Sequence, residues 1–271
     1  MRHSADESPK HHCERRRHLK FPNFLKRKYD FPEHSGLPTL HYMIACTRRS
    51  GSTMLVQHMW NTGALGAPWE YLNPIAVRRA AIRWRVTTDV EFVANLIRFR
   101  TSENGVFGYK TFIDHWQNID WRLPNITRSL WSDKVILLRR RNIVAQAISL
   151  LRAEESQQWV SFRGPVDNTA GQTQHTLRFD KEKVDFYLQR IARQNALWDK
   201  VFQERKIRPI ELWYEDFIND KNATIRMIMD TWKIEPKVPH GVVPKFPETE
   251  QQSDDVSASW TAKYETVTGK T

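Results

Sequence analysis

Four groups of residues in this sequence could do chemistry on an anion. The stretch Arg49-Ser50-Gly51-Ser52-Thr53-Met54 gathers a cation, three hydroxyls and a glycine in one short polar run after the apolar residues Tyr42 to Cys46. A glycine there lets backbone approach a ligand closely. The first amides of a helix have no intrahelical partner and carry partial positive charge, which favours an anion. Lys110 closes a second apolar run, and Arg141 stands eight residues before Ser149. Eight residues are about 2.2 helical turns, so a long side chain before a helix and a serine on it can share one phosphate. Glu70 lies among Pro68, Trp69, Tyr71 and Leu72, surroundings that partly desolvate a carboxylate and raise its pKa. Each group also has an ordinary alternative: a well-capped turn, a cationic strand end with a helical serine, a surface acid in a polar loop.

Positioning these residues requires strands that end at them. The run from Tyr42 to Cys46, the run Val106-Phe107-Gly108-Tyr109-Lys110-Thr111, the run from Lys134 to Leu138 and the run from Ile207 to Tyr214 read as strands. Helices are expected from about Met54, across Ile75 to Thr101 in one broken or two consecutive pieces, from Ile143 to about Glu155, from Asp180 to Arg205 and from Phe217 to Trp232. Trp260 and Tyr264, four apart, suggest a further short helix. Strands alternating with helices predict an α/β fold, a parallel sheet flanked by helices, with ligands at the carboxyl ends of the strands. Arg49, Lys110 and Arg141 all end or follow a strand. Residues 156–179 form a polar stretch long enough for a lid or binding loop. The run Gly105 to Thr111 lacks the adjacent Gly-Lys of a Walker loop, which argues against a P-loop nucleotide kinase or NTPase.

The 271 residues, 40% hydrophobic and 27% charged, describe a globular chain able to bury one sizeable core. Residues 1–38 hold half of the histidines and two basic runs without a periodic apolar face; they read as a basic, poorly ordered extension ahead of a single domain, 39–271. The net charge of +11 is carried mainly by that domain, so its surface suits an anionic ligand, a membrane surface or nucleic acid. A nucleic-acid-binding protein is the rival that uses the basic surface alone. Cys13 and Cys46 form no disulfide framework, no zinc pattern is readable, and no apolar run reaches the roughly 20 residues of a membrane span. A cytoplasmic protein is expected.

From about Tyr42 to Tyr264 these residues resemble the sulfotransferases that use 3′-phosphoadenosine 5′-phosphosulfate (PAPS), and in particular the bacterial trehalose 2-sulfotransferase family. The run Arg49-Ser50-Gly51-Ser52-Thr53 resembles the family's 5′-phosphosulfate loop, and Arg141 with Ser149 its 3′-phosphate pair. The segment Gly66-Ala67-Pro68-Trp69-Glu70 is similar to the one that carries the family's proposed catalytic glutamate. Tyr214-Glu215-Asp216 resembles a recurrent strand end. The resemblance implies a P-loop-NTPase-like sulfotransferase fold and metal-independent sulfuryl transfer from PAPS to a hydroxyl of a carbohydrate or glycolipid. It implies no nucleic-acid partner and leaves a homodimer open. Many animal and plant sulfotransferases carry a histidine base where this sequence has Phe112, so Glu70 is the candidate base, with Arg49 and Lys110 completing the catalytic set and Ser50 to Met54 holding the donor. Gln251 stands where a cation is usual.

Overall fold

The computed structural model describes residues 23–160, 162, 178–235, 243–249 and 255–269. Four strands, β1 (Leu40–Cys46), β2 (Val106–Phe112), β3 (Val135–Arg139) and β4 (Ile210–Trp213), form one sheet in the order β2-β1-β3-β4. Every pairing is parallel, with Ile44 opposite Lys110 on one side and Ile136 on the other. Helices cover a parallel sheet on both faces, so its central strands are buried throughout. This is why β1 to β3 read as unbroken apolar runs.

Ten helices among the described residues surround the sheet: α1 (Ser52–Asn61), α2 (Pro74–Trp84), α3 (Asp89–Arg100), α4 (Ile113–Arg122), α5 (Pro124–Leu130), α6 (Ile143–Ser156), α7 (Lys181–Glu204), α8 (Tyr214–Asn219), α9 (Lys221–Trp232) and α10 (Asp255–Thr268). Five of them start at a side-chain cap. Asn73 accepts the Ile75 amide ahead of Pro74, Thr88 and Glu91 form a reciprocal capping box, and Asn142 accepts the Ala145 amide. The helix expected over Phe217–Trp232 is two, because Asp220 leaves helical geometry and caps α9 through the Ala223 amide. The short α4 and α5 between β2 and β3 were not anticipated. In α2 and α3 Ala76, Ala80, Phe92, Val93 and Leu96 are buried, and Ile82 and Val90 are exposed.

Part of the extension expected over residues 1–38 packs on the domain. Phe24, Leu25, Tyr29 and Phe31 belong to the main core. The Phe24 ring stacks on Phe246 at 4.5 Å and meets Trp69 edge-on at 4.6 Å. Asp30 is held by Arg83 and by the fully buried Arg100, whose Nη2 lies 2.9 Å from Oδ1, and the Phe31 and His34 amides donate to the Phe99 and Arg98 carbonyls. Arg83 is thus spent on this anchor. The apolar residues of the segment dock on several elements rather than one, so they follow no helical or strand period. Residues 1–22 lie outside the described residues. A second cluster joins α6, α7 and α10 through Ile148, Leu151, Val184, Ile191, Trp260 and Tyr264, which agrees with the helix expected from the last two.

Candidate active site

The connections after β1 and β3 leave the sheet in opposite directions, so a crevice opens between their carboxyl ends. The turn from Thr47 to Gly51 fills one wall of it. The Ser50 hydroxyl donates to the Thr47 carbonyl at 2.8 Å, Arg49 takes φ +64° and Gly51 takes φ +81°. Only glycine holds the last conformation cheaply, and a Cβ there would collide with the Tyr214 ring. Gly51 is also the N-cap of α1, and no side chain caps that helix, which leaves its first turn open to an anion. Two of the expected donor-holding groups are occupied: Ser50 is consumed inside the turn, and the Met54 amide donates to the Gly51 carbonyl at 3.0 Å.

Lys110 rises from β2 opposite this turn. It is fully buried, its Nζ lies 2.7 Å from Glu70 Oε1, and it reaches Ser52 Oγ at 3.3 Å and Thr53 Oγ1 at 3.5 Å. The backbone explains the pairing with Glu70. Trp69 forms a parallel bridge beside Tyr109, and its carbonyl accepts the Lys110 amide at 2.9 Å. Gly66, with φ +66°, lets that loop lie against β2, since a Cβ would sit 2.6 Å from the Val106 carbonyl oxygen. Burial pushes the Glu70 pKa up, as expected from its aromatic neighbours, but Lys110, His115 and Arg48 together outweigh burial. The net shift is downward, so Glu70 is ionised at neutral pH, a correction to the raised pKa expected from its local sequence.

Arg141 and Ser149, expected on one phosphate, each contact another residue of the protein. The Ser149 hydroxyl accepts from Arg49 Nε at 2.8 Å, and Arg49 also donates to the Trp159 carbonyl at the start of the 156–179 stretch. Most of that expected lid, and Gln251, lie outside the described residues. Arg141 makes a two-pronged pair with Asp216, both contacts at 2.6 Å, over the Trp213 ring. Tyr214-Glu215-Asp216 now has a physical role. Glu215 accepts the Arg141 and Asn142 amides ahead of α6, and Tyr214 carries Arg140 over its ring at 4.8 Å.

Three residues here escaped the sequence reading. Arg140 donates to the Arg49 carbonyl at 3.4 Å, and its buried Nε has no hydrogen-bond partner among the described residues. Burial, and then the nearby Arg140 charge, bring the Arg49 pKa down to about 10, which leaves it cationic. Gln146, wholly buried on α6, donates to Thr47 Oγ1 at 2.8 Å and to the Arg48 carbonyl at 2.7 Å, tying helix to turn. His115 receives a contact from Arg48 Nη2 at 3.1 Å. Arg48, Arg49, Lys110 and Arg140 gather at the turn and the uncapped start of α1; Asp114 pairs with Arg48 at 2.7 Å, Glu70 with Lys110, and Glu215 lies 3.9 Å from Arg140 Nε. The residues present fit a phosphate or sulfate group.

The Stf0 sulphotransferase family model matches residues 41–266. The chain belongs to that family. This sulfotransferase is 24% identical to trehalose 2-sulfotransferase of Mycobacterium tuberculosis over 265 residues, covering 82% of this chain and 93% of the relative. It is 22% identical to trehalose 2-sulfotransferase of Mycolicibacterium smegmatis over 260 residues, with the same coverage. Among solved structures, a sulfotransferase from Alicyclobacillus acidocaldarius matches 88% of this chain and 98% of its own, with TM-score 0.39 and 12% identity. Family membership rests on the sequence match. Among the described residues no helix is long and apolar enough to cross a membrane.

Proposed function

We propose that this sulfotransferase moves a sulfuryl group from PAPS to a hydroxyl of a carbohydrate or glycolipid. The observation that carries the reading is Lys110, held between the Glu70 carboxylate and the Ser52 and Thr53 hydroxyls at the open start of α1. One ammonium there joins a base to an anion-binding turn. Both trehalose 2-sulfotransferase relatives support a sugar hydroxyl as acceptor.

Arg49, the amides of the turn and Lys110 would hold the 5′-phosphosulfate, and Arg141 with Ser149 the 3′-phosphate, Arg141 by exchanging Asp216 for it. Bound there, the donor supplies the sulfuryl group and a leaving phosphate whose charge grows as the bond breaks. Arg49, Arg140 and Lys110 stabilise that charge from fixed positions. Glu70, ionised, takes the acceptor proton on a carboxylate oxygen. An anion at the turn draws on the same ammonium that weakens Glu70, so the carboxylate becomes more basic when it is needed. Calorimetry with adenosine 3′,5′-bisphosphate tests the donor half, and label transfer from sulfur-labelled PAPS across a panel of sugars tests the acceptor half. A chain that does not bind the bisphosphate refutes the reading.

A further inference from the structure

His115 has no part in the reaction as described, yet it packs on Phe112, the ring that also carries Lys110, the partner of the proposed base. It lies in the first turn of α4, edge-on to Phe112 at 5.4 Å, with Nε2 3.1 Å from Arg48 Nη2. A guanidinium can only donate, so Nε2 is the unprotonated nitrogen and the proton sits on Nδ1. Burial is the largest influence on the His115 pKa and lowers it; Glu70 and Asp114 pull upward, Arg48 and Lys110 downward, and the net is lowered. The ring is therefore neutral at pH 7. Its Nδ1 is enclosed and has no hydrogen-bond partner among the described residues, an arrangement that costs free energy unless another state of the site uses the donor.

Glu70 supplies that state. In the structure it is paired with Lys110, which also serves the hydroxyls of the turn, so an anion at the turn competes for the same ammonium. A buried carboxylate losing its cation needs a new donor. The Phe112 ring joins His115 to that pair: it lies 5.4 Å from the imidazole and 5.3 Å from Lys110 Nζ, which is 2.7 Å from Glu70. We propose that His115 is a positioning residue, whose Nδ1–H holds the Glu70 carboxylate for proton transfer while Lys110 serves the donor. The inference rests on the reading of Glu70 as base.

The test uses the full chain. His115→Phe removes the donor and keeps the bulk; kcat should fall about 10- to 100-fold, the cost of a misplaced catalytic group, with thermal stability and bisphosphate affinity unchanged. His115→Asn, whose amide nitrogen can stand where Nδ1 stands, should restore most of the rate, and His115→Gln should not. Charged and titratable groups around the pair are Arg48, Asp114, Lys110 and Cys46. With these unchanged, losing a hydrogen bond to the carboxylate raises the Glu70 pKa. Carbon-13 NMR of the bisphosphate complex should therefore show the Glu70 carboxyl titrating at higher pH in His115→Phe than in the wild type. In a Glu70→Gln background His115→Phe should add little. Equal fold losses in both backgrounds, an Asn variant as slow as Phe, or an unmoved carboxyl titration would overturn the inference. Wild-type turnover by Glu70→Gln alone would instead remove the base reading beneath it. Should His115→Phe fail to fold, the comparison of Asn with Gln decides.

Discussion

Replacing Glu70 by Gln should destabilise the free protein and strengthen its hold on the bisphosphate. Lys110 is fully buried and Glu70 nearly so, 2.7 Å apart. Without the carboxylate, the ammonium keeps two hydroxyls and the faces of Trp69 and Phe112, at 5.0 and 5.3 Å, none of which carries a full negative charge. Breaking one side of such a buried pair costs about 3–5 kcal/mol. At about 2–4 °C per kcal/mol for a domain of this size, the melting temperature should drop by roughly 6–20 °C. Lys110→Met should also destabilise, and the double variant should lose less than the sum, because neither partner is then stranded. A phosphate at the turn supplies the missing countercharge. Saturating bisphosphate, at 100 times Kd, stabilises by about 2.7 kcal/mol, and the same concentration should raise the Glu70→Gln melting temperature more than that of the wild type. Thermal unfolding of the four proteins with and without bisphosphate measures every quantity. Additive losses, or a Glu70→Gln protein as stable as the wild type, would refute an uncompensated ammonium at Lys110.

Three further outcomes are expected. Phe24→Ala should cost about 3–5 kcal/mol in denaturant unfolding, since its ring is buried against Trp69 and Phe246, and removal of residues 1–38 should cost more. Arg141→Ala should weaken adenosine 3′,5′-bisphosphate in calorimetry far more than adenosine 5′-phosphate, which lacks the group that Arg141 is assigned, and equal losses would contradict that role. The acidic limb of kcat/KM should lie below the ordinary glutamate range: the Glu70 pKa is depressed in the free protein, so activity requiring its ionised form persists as pH falls until that lowered pKa is crossed, and the limb should vanish in Glu70→Gln.

The sheet was legible because three of its strands are buried on both faces and so read as unbroken apolar runs, each ending in or followed by a cation. The turn was legible through Gly51, whose left-handed conformation few other residues adopt. What escaped depends on distant partners. The aromatic anchor at Phe24 and Tyr29 has no period, because its contacts come from α1, the Trp69 loop and Phe246. His115 gains meaning from Arg48 and Glu70, which are remote in sequence. The eight-residue spacing of Arg141 and Ser149 shows that both can reach one ligand, not that they meet without it; here Asp216 and Arg49 are their partners. The pKa direction of Glu70 was misjudged because burial is visible in neighbouring aromatics, whereas Lys110 arrives from another strand.

The contact between Phe24 and Phe246 also sets an order of events during synthesis. About 220 residues separate the two rings, and at the usual pace of translation the first emerges roughly 10 to 45 s before the second. Until then Phe24 has Trp60 and Trp69 on one flank and no Phe246 to complete its packing. The nascent chain must carry an unfinished apolar face for most of its production, which makes this aromatic seam a natural place for a chaperone to hold the chain and for a truncated product to aggregate.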